Sequence, residues 1–176
     1  MTFLRALVAA ALLLAPIPAQ AQASIASYDA VRAGLEAVWA DLPLTVRNAT
    51  LTDGAASGYG AYTPATATGY KPGEAIHVYV ELLGYGWREN ADGTWSVLLD
   101  VDLNLKNAAG EIVASQLKFL SADLRSRTRN LETFVAFTAT LTDFPAGDYQ
   151  LDYVVHDRAG GEDTEFALPV TLAGAE

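Results

Sequence analysis

Leu141 to Leu172 reads LTDFPAGDYQLDYVVHDRAGGEDTEFALPVTL. Within it Tyr149, Leu151, Tyr153 and Val155 alternate with Gln150, Asp152, Val154 and His156, and Gly160-Gly161 separates them from a second apolar-rich run. Successive side chains of a strand point to opposite faces, so this alternation predicts a β-hairpin with one buried face. An isolated hairpin is marginal in water, and further strands must share its core.

Working upstream, the chain supplies them. Leu131 to Leu141 reads as a strand. Before it, Trp95, Val97, Leu99, Val101, Leu103 and Leu105 face one way, while Ser96, Leu98, Asp100, Asp102 and Asn104 face the other. Asn107 to Gly110 forms a turn into Ile112–Phe119, after which a polar segment is expected. Pro72-Gly73-Glu74 turns into a strand with Ile76, Val78, Val80 and Leu82 on one face and His77, Tyr79 and Glu81 on the other. Gly84 to Gly93 reads as a hairpin connection. Leu44 to Leu51 is a first strand whose apolar phase slips between Val46 and Ala49, which predicts a bulge or an edge position. A loop of glycine, alanine and threonine follows as far as Tyr70.

One helix is expected, within 24–43. Tyr28, Val31, Leu35, Val38, Trp39 and Leu42 recur at helical spacing, with Asp29, Arg32 and Glu36 on another side, Ser27 as N-cap and Pro43 as terminator. Such a stripe is expected to pack on its own domain. Residues 1–23 carry one early positive charge, the apolar run Ala6–Ala15, Pro16 and Pro18, and small residues at Ala19, Ala21 and Ala23. That is the layout of a secretory signal peptide, too short for a transmembrane span. The expected organisation is therefore signal peptide 1–23, amphipathic helix 24–43 and β-sandwich 44–176.

The formal net charge is −10 over 176 residues, and there is no cysteine. Loss of Arg5 with the leader makes the product one unit more acidic. Such a charge disfavours nucleic acid and anionic membrane surfaces as partners. Lack of cysteine excludes disulfides, thiol catalysis and thiolate-bound metal.

Several short strands with turn signals between them indicate an all-β antiparallel sandwich. Pro72-Gly73-Glu74 entering a strand, and Phe144-Pro145-Ala146-Gly147-Asp148-Tyr149-Gln150-Leu151 leading to Val155-His156-Asp157, resemble bacterial immunoglobulin-like and fibronectin type III-like domains. The resemblance spans 44–172. It implies an immunoglobulin-like β-sandwich in which Tyr149 is the corner tyrosine, its hydroxyl bonded back to the chain. It implies no catalytic residue.

Four groups of side chains bear on function. Asp100, Asp102, Asn104 and Glu111 have the spacing of a calcium-binding EF-hand loop, but Leu105 stands where the sharp turn needs glycine. If the strand carrying Asp100 neighbours the one carrying Asp152 and His156, an acidic face or a cross-strand cation site results. His77 and His156 lack a recognisable nucleophile motif around them. Tyr59, Tyr62, Tyr70, Tyr85, Trp87 and Trp95 could stack on sugars or plug the end of the core. Finally, Lys118, Arg125, Arg127 and Arg129 form a basic island. Extended backbone would point the last three to one side, where they could grip a carboxylate or phosphate.

The expectation is a non-catalytic, periplasmic or secreted bacterial binding module that contacts another envelope protein through Arg125, Arg127 and Arg129. It calls for no cofactor or metal, and no stable membrane insertion after cleavage. A carbohydrate-binding module and an uncharacterised hydrolase are the alternatives.

Overall fold

The computed structural model describes residues 23–174; the signal peptide expected over 1–23 lies outside them except for Ala23. Helix α1 (Ile25–Ala40) is followed by nine strands: β1 (Thr45–Thr52), β2 (Gly69–Tyr70), β3 (Ala75–Leu83), β4 (Arg88–Glu89), β5 (Trp95–Asn107), β6 (Ile112–Ser126), β7 (Thr133–Thr140), β8 (Gly147–Asp157) and β9 (Asp163–Leu172). The described part of the chain is thus all-β with a single helix. One sheet has the order β1-β3-β7, and the other runs β2-β9-β8-β5-β4 with β6 on the far edge of β5. Every pair is antiparallel except the two-residue contact of β2 with β9.

The opening hairpin is β8–β9, with Tyr149 opposite Val170 and Tyr153 opposite Phe166. Leu151, Tyr153 and Val155 are wholly buried and join Ile76, Val78, Val80 and Leu82 of β3 and Leu99, Val101 and Leu105 of β5 in one core. Alternation in the sequence therefore became alternation in burial. Tyr149 donates its hydroxyl to the Pro145 carbonyl at 2.8 Å. The phase slip in β1 is a register shift between Val46 and Asn48, and β1 has one strand neighbour.

Two boundaries differ from the sequence expectation. β6 does not give way to a polar segment at Phe119 but continues to Ser126. A bulge hides this: Leu120 pairs with Val101 and Gln116 with Leu103, so three residues stand opposite Asp102. Lys118 takes a φ of 50° there, and its amide donates to Asp102 Oδ1 at 2.7 Å. Two residues beyond one-to-one pairing interrupt the ladder there, so the chain leaves regular strand geometry for three residues without changing the phase on either side. At the helix, the N-cap is Ser24 rather than Ser27. Ser24 Oγ accepts from the Ser27 amide at 3.1 Å and Ser27 Oγ accepts from the Ser24 amide at 2.8 Å, a reciprocal capping box.

Candidate functional site

The helix gives the largest correction. Its apolar stripe does not pack on the domain: Ile25 is 82%, Tyr28 64%, Val31 72%, Leu35 49% and Val38 64% exposed, and Trp39 is the one residue of α1 that is buried. Polar side chains take the inner side. Arg32 Nη2 donates to the Arg129 carbonyl at 2.6 Å, and Glu36 lies 3.2 Å from Arg32 Nε and 3.5 Å from Arg129 Nη1. A surface helix ordinarily turns its apolar face to the core and its charges to water; α1 does the reverse.

Trp39 holds this orientation. Its ring stacks on Trp87 with centroids 5.5 Å apart, meets Tyr85 edge-on at 4.9 Å, and donates its indole N–H to the Tyr85 carbonyl at 2.9 Å. The loop beneath must come close. A Cβ on Gly84 would sit 2.3 Å from the Pro43 carbonyl oxygen, and one on Gly86 2.5 Å from the Gly160 nitrogen, so neither position accommodates a side chain. Asp157, buried at the end of β8, ties the loops together: its Oδ2 accepts from the Gly86 amide at 2.6 Å and its Oδ1 from the Ala159 amide at 2.9 Å.

The basic island meets the helix here, but not as a row. Arg125 is the last arginine within β6 and pairs with Asp92 at 3.6 Å, both more than half exposed. Backbone pairing stops at Ser126, so the chain bends before Arg129 and the period-two projection does not extend through it. Arg127 is exposed and makes no ion pair among the described residues. The guanidinium carbon of Arg129 lies over Trp95, 4.1 Å from the ring centroid, and 5.7 Å from that of Trp87. Between this segment and the helix runs an open groove of about 460 Å³, lined by Tyr28, Arg32 and Leu35 on one side and Arg129 to Glu132 on the other.

The other sequence candidates have definite places. Asp100 does face His156 across β5–β8, as does Asn104 face Asp152. Asp100 is satisfied by Ser121 Oγ at 2.7 Å, Arg158 Nε at 3.2 Å and Lys118 Nζ at 3.4 Å. The hydroxyl of Ser121, with the two cations, holds its carboxyl below the usual range. Among the described residues no group of three His, Asp or Glu side chains could hold a metal ion. His156 Nδ1 lies 2.8 Å from Asp163 Oδ1 and its Nε2 3.2 Å from Asp102 Oδ2. Carboxylates only accept, so both ring nitrogens are best used as donors, and the bond to Asp163 above all pushes His156 upward against the opposing effect of burial. His77 reaches Thr138 Oγ1 at 3.0 Å. Tyr85 is fully buried, with its hydroxyl 2.8 Å from both the Asn130 carbonyl and Thr133 Oγ1, and burial raises its phenol to about 12.

These features define an all-β domain that presents an inverted helix beside an arginine-bearing loop. No family model and no curated protein matches the chain. Among solved structures it is similar to Spo0M, a sporulation control protein from Bacillus subtilis, at 16% identity and a TM-score of 0.45, over 77% of this chain and 51% of that one. It is also similar to the Pseudomonas fluorescens alkylpurine DNA glycosylase AlkC bound to DNA containing an abasic site analog, at 12% identity and a TM-score of 0.41, over 74% of this chain and 30% of that one. The chain thus spans about half of the first protein and under a third of the second. Among the described residues no helix is long and apolar enough to cross a membrane.

Proposed function

We propose that the chain is a non-catalytic, exported binding module, periplasmic or secreted, that holds another protein of the bacterial envelope through the outer face of α1 and the arginine loop beside it. The observation that carries this reading is the inverted helix. Fully burying a valine, leucine or similar side chain is worth ~1.5–3 kcal/mol. Tyr28, Val31, Leu35 and Val38, about half to three-quarters exposed, together leave a gross gain on the order of 4–7 kcal/mol unclaimed in the isolated domain. Association itself costs roughly 4–15 kcal/mol, so the stripe alone supports only weak binding and needs polar contacts from its surroundings. Arg32 and Arg129 line the adjoining groove, and Arg127 precedes Arg129 by two residues; these are the candidate donors.

The core of this module is read as an immunoglobulin-like β-sandwich. Support comes from the strand order: β1, β3 and β7 in one sheet, and β9, β8, β5 and β6 in the other, with the last strand added beyond β5. The Tyr149 to Pro145 bond is of the corner-tyrosine kind.

The alternatives draw less support. Tyr85 has no free face for a sugar, Trp39 stacks on Trp87, and Arg129 covers Trp95. For hydrolysis, both nitrogens of His156 are engaged by carboxylates, while Ser121 bonds to Asp100 instead. The test is a photo-crosslinking side chain introduced at Val31 in cells, with a control at Ala109 in the β5–β6 turn. A discrete protein adduct from Val31 and none from Ala109 is expected; equal labelling from both, or none from either, would refute the reading.

A further inference from the structure

Among the described residues β6 lies at the edge of its sheet, with β5 as its one strand neighbour. Such an edge offers unpaired backbone groups to any strand that can reach it, and proteins guard edges with bulges and charges. The bulge over Leu117 to Phe119, with Lys118 at a φ of 50°, guards the middle of β6, and a second register shift falls where Leu105 and Lys106 of β5 meet its start. Leu120 to Ser126 has no such break: it pairs residue for residue with Val101 back to Trp95.

The direction of its free backbone groups follows from β5. The Leu98 carbonyl accepts from the Arg158 amide, beyond the end of β8, at 2.9 Å, so Leu98 turns its polar groups away from β6. Asp123 stands opposite Leu98 and therefore turns its N–H and C=O to the open edge, as do Ser121 and Arg125 two residues to either side. Ser121, Asp123, Leu124 and Arg125 are all exposed.

We propose that this half of β6 pairs with the same strand of a second copy of the chain, antiparallel about a two-fold axis at Leu124, and so joins two sheets into one. In that register Asp123 faces Arg125 of the second copy, and Arg125 faces its Asp123. These are the residues whose backbone groups point outward, so each opposed pair exchanges both N–H···O bonds. Leu124, 38% exposed, meets Leu124 of the second copy at the closely spaced position between them. Moving the axis to Asp123 would set two carboxylates against each other, which is destabilising. The pairing of Arg125 with Asp92, at 3.6 Å and exposed, is weak enough to be shared. The bulge before Leu120 and the end of pairing at Ser126 confine the contact, and each copy is strongly acidic, so the dimer is a weak one. A strand of another protein is the competing occupant; the self-matching order Asp-Leu-Arg favours a second copy.

The test is sedimentation of the purified exported protein from about 10 μM to 1 mM at roughly physiological salt, the range in which a small interface is populated. A reversible monomer–dimer equilibrium is expected. Its dissociation constant should rise about tenfold or more for Asp123→Arg and for Arg125→Asp, and return to within about threefold of the parent when both changes are combined, because unlike charges then face each other again. Thermal melts of these exposed-site variants check that they fold. The chain has no cysteine, and Leu124→Cys should form a disulfide between copies at least about tenfold faster than Ala109→Cys, because a residue on the axis opposes itself at bridging distance. A monomer throughout would overturn the proposal and leave the edge to a strand of another protein. A dimer indifferent to the charge reversals, or not restored by the double change, would overturn it as well. So would a dimer abolished by Leu35→Glu, which would place the interface on α1. Because α1 takes no part in it, the pairing stands or falls apart from the binding role.

Discussion

Replacing Trp39 with alanine removes the one buried side chain of α1. Three contacts go with it: the stack on Trp87, the edge contact with Tyr85 and the hydrogen bond to the Tyr85 carbonyl. Large-to-small changes at buried tryptophans cost about 3–5 kcal/mol, and a helix of this length has little stability of its own in water. What remains is the ion pairing of Arg32, Glu36 and Arg129, all partly exposed and therefore weak. The loss should consequently appear as local undocking. Hydrogen exchange at the α1 amides should accelerate by on the order of a hundred- to a thousand-fold, a change of ~3–4 kcal/mol in local opening. Amides of β5 and β8, paired along Leu99 to Asn107, should keep their protection to within about tenfold. If β5 and β8 lost protection in step with α1, the helix would be integral to the core. If α1 exchange did not change, Trp39 would not be its anchor. Either result refutes the reasoning.

Other consequences follow from the same contacts. The imidazole of His156 is favoured in its charged form, so its contribution is fully present below the unfolded value of about 6.5 and is lost as pH rises through the higher folded value. The stability margin over His156→Gln should be larger at pH 5.5 than at pH 8, by less than about 1 kcal/mol because the group is partly screened; urea melts showing a pH-independent margin would contradict this. Asp102 has the opposite sign. Its carboxyl is lowered chiefly by the Lys118 amide, so that support is present above about pH 4 and fails in acid. Asp157→Ala strands the amides of Gly86 and Ala159 and should cost about 2–4 kcal/mol in denaturant melts; a cost below ~1 kcal/mol would mean that water replaces the carboxylate freely. Arg129→Ala should loosen α1 as well as any partner contact, whereas Arg127→Ala should leave the melting temperature within about a degree of the parent.

The β-ladder was legible because its residues obey a two-residue period almost without interruption. Leu151, Tyr153 and Val155, and likewise Leu99 and Val101, lie where the alternation puts them. The continuation of β6 beyond Phe119 is not legible because the chain leaves the ladder for the three residues Leu117 to Phe119, and nothing local announces it: the stabilising acceptor, Asp102, is sixteen residues away. The helix was found by its 3.6-residue period, but a period does not say which face turns inward. That choice was made by Trp39, Gly84 and Gly86, whose close approach depends on tertiary contacts. The arginine island was visible as composition. Its division into paired, stacked and free members was not, since Asp92, Glu36 and Trp95 reach it from three other segments.

The absence of cysteine makes the exposed helix face directly measurable. Single cysteines at Val31, Leu35 and Leu99 can be timed in their reaction with a thiol reagent, first in the purified protein and then in the native envelope. Val31→Cys and Leu35→Cys should react at the rate of an unstructured thiol when purified and be shielded in the envelope, while Leu99→Cys should stay protected in both. Slow labelling of the two helix positions in the purified protein, at the pace of Leu99→Cys, would show the stripe packed on its own domain and contradict the account at its base.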